Sequence, residues 1–494
     1  MVQLGLSVLR LMRRHGWRLS LVAGAVVVAG CALKEPPTHS AVVKQALPQG
    51  TRIPGTWRAG DRAGEVGNGW VAQFNDPALR AIVDEAIAHN PDLRAAAARV
   101  AIAQQTVVVV GSKLLPSIGI GLNARALDDQ DRGSTGSTAV FLSAGWEADV
   151  WGRLRAQEAA AQAGYQATAL DYAWARQSLA ATTAKLWYVA IESRQLLALC
   201  EQAVDIYTRL STLVQDRRRA GKVSDLDVVD MQARLEQAQG DVQAARQAYG
   251  ESRRALELLL GRYPAAEIEV ATTYPTVQAM SPAGVPAALL ERRPDVLAAE
   301  QAVVAAFRNQ ESAELALLPS FGLSLGGGRF SDTVLSLLRL NPWLATAAVG
   351  VSVPVYEGGA LQAQVVIATE QQARVVARYG AVALAAFWEV ENALAAEPFL
   401  AAQLPLEQKS LASRQDAVRI ATVQYTAGRR DLLWVSQLQA GALQTEGGVI
   451  RLGSTLLVNR VRLAQALGSS YDGAPAAVIG GPLAAASPSA GAGS

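Results

Sequence analysis

The chain is written twice. Pro91-Asp92-Leu93 is followed, 25 residues after its proline, by Leu115-Pro116-Ser117, and Pro294-Asp295-Val296 is followed at the same interval by Leu318-Pro319-Ser320. Gly152-x-Leu154-x-Ala156-Gln157 returns as Gly359-x-Leu361-x-Ala363-Gln364, Ala220-Gly221 as Ala427-Gly428, and Leu260-Gly261 as Leu467-Gly468. The offset drifts only from 203 to 207. One half of about 190 residues has therefore been duplicated with small loop insertions.

Each half reads helix, strand, strand, long helix, turn, helix. Residues 78–113 are rich in Ala, Leu, Val and Gln with no glycine before Gly111, which predicts one helix ended by Pro116. Residues 117–126 alternate, with Ile118, Ile120, Leu122 and Ala124 against Gly119, Gly121 and Asn123. Residues 138–147 do the same, with Val140, Leu142, Ala144 and Trp146 against Phe141, Ser143, Gly145 and Glu147. In the second half Phe321, Leu323 and Leu325 oppose Gly322, Ser324 and Gly326, and Val349, Val351, Val353 and Val355 oppose Gly350, Ser352 and Pro354. This period of two predicts two strands of about nine or ten residues per half. From Leu154 to Arg219 there is no proline and only Gly164, and Leu361 to Ala427 repeats the stretch with Gly380 and Pro398 as irregularities. Each reads as one helix of about 60 residues, about 90 Å long, which no single globular core accommodates.

The formal charge of +2 is set by the first residues, where Arg10, Arg13, Arg14 and Arg18 face no acid. Without residues 1–30 the chain has 41 basic against 43 acidic residues, and no clustered basic face of the kind a nucleic-acid binder needs. The apolar run Leu19 to Gly30 is too short to span a membrane as a helix, which takes roughly 20 residues, and has the length of a signal-peptide core. Val28-Ala29-Gly30-Cys31 resembles the lipobox of bacterial lipoproteins, which implies cleavage before Cys31 and its lipidation. Ala32 after it points to the outer membrane by the same resemblance. Cys200, the only other cysteine, sits in a helical apolar pattern and reads as a packed residue.

Strands with one apolar and one small, polar face have the length to cross an outer membrane at a tilt. Four cannot close a barrel, and open edges in hydrocarbon leave backbone groups unpaired at several kcal/mol each. Two copies would give eight strands around a side-chain-filled interior, whereas three give twelve around a lumen. Transport favours the trimer.

With these elements in place the chain resembles the TolC-like outer-membrane efflux factors, lipoprotein branch of the OprM and NodT type. The resemblance covers residues 31 to about 470. It rests on the lipobox, Phe74-Asn75-Asp76-Pro77-Ala78-Leu79, the paired Leu-Pro-Ser strand starts, and Tyr425-Thr426-Ala427-Gly428. It implies a mainly α fold with membrane β: a trimeric 12-stranded β-barrel continuous with a long periplasmic α-helical barrel. The partners implied are two further copies, a periplasmic adaptor, an inner-membrane pump and outer-membrane lipids. By the same resemblance Gly221, Lys222, Val223 and Ser224, with Gly428, Arg429, Arg430 and Asp431, are the adaptor-facing turns. Family members close this end with residues six and nine positions after the second glycine, often aspartates. Here those positions hold Trp434 and Gln437, while the first repeat has Asp227 and Asp230, so an acidic gate would have to come from the first repeat. Leu433 is the candidate for an apolar constriction.

The implied division is a signal peptide 1–30, an extended segment 31–75, a first repeat 76–261, an equatorial connector 262–290, a second repeat 291–468 and a disordered tail 469–494. No enzyme chemistry or cofactor is indicated. After processing, the histidines are His39 and His89, too few for a triad or a multi-histidine metal site, and no P-loop spacing occurs. Asp225, Asp227 and Asp230 lack the alternate ligands of a calcium loop, and Ser224 with Asp227 reads as a capping box. Gly326-Gly327-Gly328 reads as a strand end leading into a loop. The expected function is a passive, gated exit duct of a tripartite efflux system for small molecules. The outer-membrane part of a type I protein secretion system is the alternative, and a lipid-anchored coiled-coil scaffold without a pore is a third reading.

Overall fold

The computed structural model describes residues 33–60, 64–129, 133–276, 282–331 and 344–473. The leader, Cys31 and the tail from residue 474 lie outside them. The chain divides into two compact units. One comprises Met1–Gln49, Ala98–Ala169 and Ala298–Ala381, the other Gly50–Ala97, Leu170–Leu297 and Val382–Ser494.

A short helix, α1 (His39–Ala46), precedes the duplication. The first half then supplies α2 (Pro77–His89), α3 (Pro91–Gly111), β1 (Ser117–Asp129), β2 (Gly133–Ala148), α4 (Arg153–Arg219) and α5 (Asp225–Leu259). The second supplies α6 (Pro286–Arg292), α7 (Pro294–Leu315), β3 (Ser320–Ser331), β4 (Leu344–Ser352), α8 (Ala360–Thr426) and α9 (Leu432–Ala466). Both long helices run 67 residues and both partners 35, so the duplication is one of structure as well as sequence.

The single helix expected over 78–113 is two. Proline disfavours helical backbone in the residue before it, and Asn90 is extended at φ −60°, ψ 125°. Its side chain accepts from Leu93 N at 3.0 Å and donates to Leu259 O at 3.0 Å. Arg293 before Pro294 breaks the second half in the same way, at φ −75°, ψ 123°. Residues 31–75 are not extended throughout. Thr38 caps α1, Val42 is wholly buried, and Trp70–Phe74 forms a 3-10 turn. The tail is packed at its start: Ser470 O accepts from Gly69 N at 2.7 Å, and Tyr471 joins the core.

Among the described residues four strands form one antiparallel sheet in the order β1-β2-β3-β4, in which β1 and β4 are the edge strands with no partner. The strands run 13, 16, 12 and 9 residues, and three of the four exceed the expected length. Gly326 to Gly328 lies inside β3 rather than at a strand end. Register aligns the predicted faces across all strands. Ile118 pairs with Ala144 and that with Leu325 and Ala347, while Trp146 pairs with Leu323 and that with Val349. This apolar face is exposed: Ile118, Ile120 and Val349 are 71%, 79% and 79% exposed. The opposite face is small and polar, and Phe141 there covers two glycines, Gly121 and Gly328, that flank it in register.

In the other unit the core is built from α2, α4, α5, α9 and the 3-10 turn, around Trp70, Trp187, Tyr188, Ile191, Leu256 and Val461. The Phe74-to-Leu79 motif has its explanation here. Asp76 caps α2 through Leu79 N at 3.0 Å and accepts the Trp187 indole N–H at 2.8 Å. Phe74 packs between Trp70 and Tyr188.

Candidate functional site

The two turns expected to face a partner are built alike. Gly221 and Gly428 have φ of +67° and +75°, the left-handed backbone that glycine adopts without a Cβ penalty. In the first turn Gly221 N donates to Arg218 O and Lys222 N to Arg217 O, both at 2.9 Å. In the second Gly428 N donates to Tyr425 O at 3.0 Å and Arg429 N to Gln424 O at 2.9 Å. Each long helix thus closes its own last carbonyls before the chain reverses. Arg217, Arg218 and Arg219 complement the C-terminal dipole of α4.

The helices that follow are capped. Ser224 and Asp227 form the expected capping box: Asp227 Oδ2 accepts from Ser224 N at 2.9 Å, and Ser224 Oγ from Asp227 N at 3.3 Å. Asp431 caps α9 through Trp434 N at 3.0 Å, with no reciprocal bond because a tryptophan occupies the third position.

Both turns stand on one apolar cluster that includes Tyr207, Val214, Met231, Tyr425, Leu432 and Val435. Arg217 locks them together. Its guanidinium lies 4.0 Å from the Tyr425 ring centre and donates to Tyr425 O at 3.0 Å. Burial pushes the Tyr425 hydroxyl pKa up, and the adjacent Arg217 partly counters it. Arg218 holds the Asp225 carboxyl below its usual range through bonds of 2.5 and 3.0 Å.

The gate candidates separate by what they already do. Asp227 is occupied by its cap, and Asp230 accepts from Arg234 at 2.8 Å. Leu433, Trp434 and Gln437 are exposed on α9, while the neighbouring Leu432, Val435 and Ser436 are buried. Trp434 carries Arg430 over its ring at 4.4 Å. Leu226 and Val229, 76% and 65% exposed beside the two aspartates, escaped the sequence reading. Their signal was apolar residues on the solvent side of a capped first turn. Among the described residues no cluster of His, Cys, Asp and Glu is placed to hold a metal. Burial, together with Asp241, raises the Cys200 thiol, as befits a packed cysteine.

One amphipathic four-stranded sheet and two 67-residue helices that end in matched capped turns, in a duplicated chain, define the class. The sequence model of the outer membrane efflux protein family matches residues 82–262 and 285–469. The chain belongs to that family, whose members are outer-membrane channels rather than enzymes. It is 28% identical over 472 residues to the pyoverdine export outer membrane protein OpmQ of Pseudomonas putida, across 92% of this chain and 97% of that one. It is 27% identical to the toluene efflux pump outer membrane protein TtgC of the same species, across 92% and 95%. The open-state crystal structure of the Neisseria gonorrhoeae MtrE outer membrane channel shares the fold, with a TM-score of 0.78 at 24% identity across 90% of this chain and 98% of that one.

Proposed function

We propose that three copies of this chain form a gated duct that passes small molecules outward through the periplasm and outer membrane, as the exit component of a tripartite efflux system. The observation that carries the reading is the four-stranded sheet with a continuous apolar face and two free edges. Hydrocarbon tolerates such edges only when they are paired, and three copies pair all six in a 12-stranded barrel with a lumen. The small, polar face then lines water. Curated relatives carry pyoverdine export and toluene efflux in their names, which supports small-molecule efflux over protein secretion. Those cargoes are chemically unlike, so selection falls to the pump rather than to this duct.

Lipid anchoring at Cys31 rests on the lipobox Val28-Ala29-Gly30-Cys31. Lys34 N donates to Glu311 Oε1 at 2.6 Å, its ammonium meets Glu314 at 2.5 Å, and Arg308 donates to Lys34 O at 2.7 Å. Lys34 is thus tied to α7 three residues after Cys31. Gly221 to Ser224 and Gly428 to Asp431 are the turns that meet the adaptor. Leu433, Trp434 and Gln437 line the closed tip, and Asp227 and Asp230 serve helix structure instead of an acidic ring.

Single-channel conductance of the purified lipoprotein in planar bilayers, beside the mass of the detergent-solubilised complex, tests the reading. A trimer whose conductance rises when Leu433 or Gln437 is replaced by alanine is expected. A monomer or dimer that stays non-conducting with those replacements refutes the duct.

A further inference from the structure

In the second unit, Lys185 of α4, Trp388, Glu389 and Asn392 of α8, and Arg462 and Gln465 of α9 line a pocket of about 470 Å³. Its charge is unbalanced. The Lys185 ammonium reaches the Gln465 carboxamide oxygen at 3.3 Å, and Arg462 makes no ion pair among the described residues. Glu389 is already engaged by the buried Arg293 at 2.6 Å. Burial and the neighbouring Arg462 hold the Lys185 ammonium below its usual pKa, and Glu389 only partly counters them. A half-buried lysine with an exposed arginine beside it, and a glutamate already engaged elsewhere, leaves the pocket with positive charge to offer an anion.

Trp388, at the rim, is 68% exposed and begins an apolar stripe. Phe399 and Leu406, eleven and eighteen residues on, lie within about 20° of it around the helix at 100° per residue. They are 74% and 67% exposed. This stripe belongs to the helical part of the chain, where no hydrocarbon is at hand to cover it, so a protein surface must. The free edges of β1 and β4 already require a copy of the chain on each side.

We infer that this pocket is a socket for an Asp or Glu carboxylate of the neighbouring copy, held by Lys185 and Arg462 while Trp388, Phe399 and Leu406 are covered by the same neighbour. The inference rests on the trimeric reading above. The socket supplies partner register: an apolar stripe alone tolerates sliding by a helical turn, whereas a carboxylate between two cations fixes one position.

The test uses the full chain in mild detergent, with native mass spectrometry across a dilution series. Parent, the double variant Lys185→Glu/Arg462→Glu and the charge-conserving Lys185→Arg/Arg462→Lys are compared. Charge reversal is expected to raise the concentration at which trimers dissociate about tenfold or more, with helical circular dichroism unchanged, while the conserving variant assembles like the parent. A charge-reversed chain that trimerises like the parent overturns the socket. So does saturable succinate binding that is lost on charge reversal while assembly is unaffected, which would make the pocket a site for a free anion. A conducting parent trimer in either case leaves the duct standing, whereas a monomeric, non-conducting parent would sink the duct reading itself.

Discussion

Replacing Gly380 with alanine should weaken one local contact far more than it weakens the fold. Gly380 lies in the interior of α8, and a Cβ there would stand 2.3 Å from the carbonyl oxygen of Ala46, at the end of α1. Alanine improves a helix interior by about 1 kcal/mol over glycine, and α8 gains this whether or not α1 is seated. The clash is felt only with α1 seated. Overpacking of this kind costs about 1–3 kcal/mol. Val42 and Leu47 are buried in the seat at about 1.5–3 kcal/mol each, so most molecules keep α1 docked. Opening nevertheless becomes about 5- to 150-fold more frequent, since 1.4 kcal/mol is about a factor of ten. Lys44 is exposed on α1, and trypsin cleavage after it reports the opening when reclosure is fast. Cleavage should accelerate within that range while the thermal midpoint of the chain stays level or falls only slightly, because the helix gain of about 1 kcal/mol offsets part or all of the clash that the docked state carries. Equal cleavage rates in the two proteins would refute the claim that α1 is seated against Gly380.

Arg293→Ala should cost about 3 kcal/mol in denaturant unfolding, because it strands Asp295, bonded at 3.0 and 2.7 Å, and Glu389; the low end of the usual range applies since Glu389 is part-exposed. Gly328→Ala should abolish assembly in membranes, since its Cβ would lie 2.3 Å from Val140 O and 2.4 Å from Phe141 Cβ, whereas Gly322→Ala, with nothing within 4 Å, should assemble normally. Burial raises the Glu257 carboxyl, but N–H bonds from Ile268, Ala266 and Glu267 outweigh it and hold the group below its usual value. A depressed carboxyl stabilises above its unfolded pKa and loses that stability as pH falls through the folded one. Thermal midpoints should therefore drop below about pH 4.5, and Glu257→Gln should flatten that acid limb while lowering the midpoint at neutral pH.

The parts of this fold that the sequence made legible are those written in backbone chemistry. The repeated glycines are chain terminators and reversals: Gly261 and Gly468 follow their helices at φ +70° and +66°, Gly152 and Gly359 turn strands into helices at +87° and +85°, and Gly221 and Gly428 form the tips. Strand faces were legible because a period of two survives pairing unchanged. The tip's side-chain chemistry was less so. That Asp227 caps could be read from Ser224, but that Asp230 is held by Arg234 and that Arg217 seats on Tyr425 depend on helix faces meeting. The α1 helix was missed because eight residues carry too little periodicity, and its fixing contact, Val42, is tertiary.

Proline shows where local reading stops. Pro91 and Pro294 end helices, yet α8 runs unbroken past Pro398 and Pro405, the second of which the sequence reading did not flag. The rule at work is that a proline biases the residue before it out of helical backbone, a penalty that packing can outweigh. Before Pro91, Asn90 is free to leave the helix because its side chain caps the next one and bonds Leu259 O. Before Pro398, Glu397 is buried, and its carboxylate accepts from Arg460 Nε at 2.9 Å and Asn459 Nδ2 at 3.3 Å, both on α9. Leaving the helix would carry that carboxylate away from both donors. Pro398 and Pro405 are both exposed and lie seven residues apart, on one side of the helix. A 67-residue helix therefore survives two prolines because its neighbour holds Glu397 in helical backbone, and Glu397→Ala, which releases that hold, should let α8 bend at Pro398 and lower the thermal midpoint, with unchanged stability as the result that would refute it.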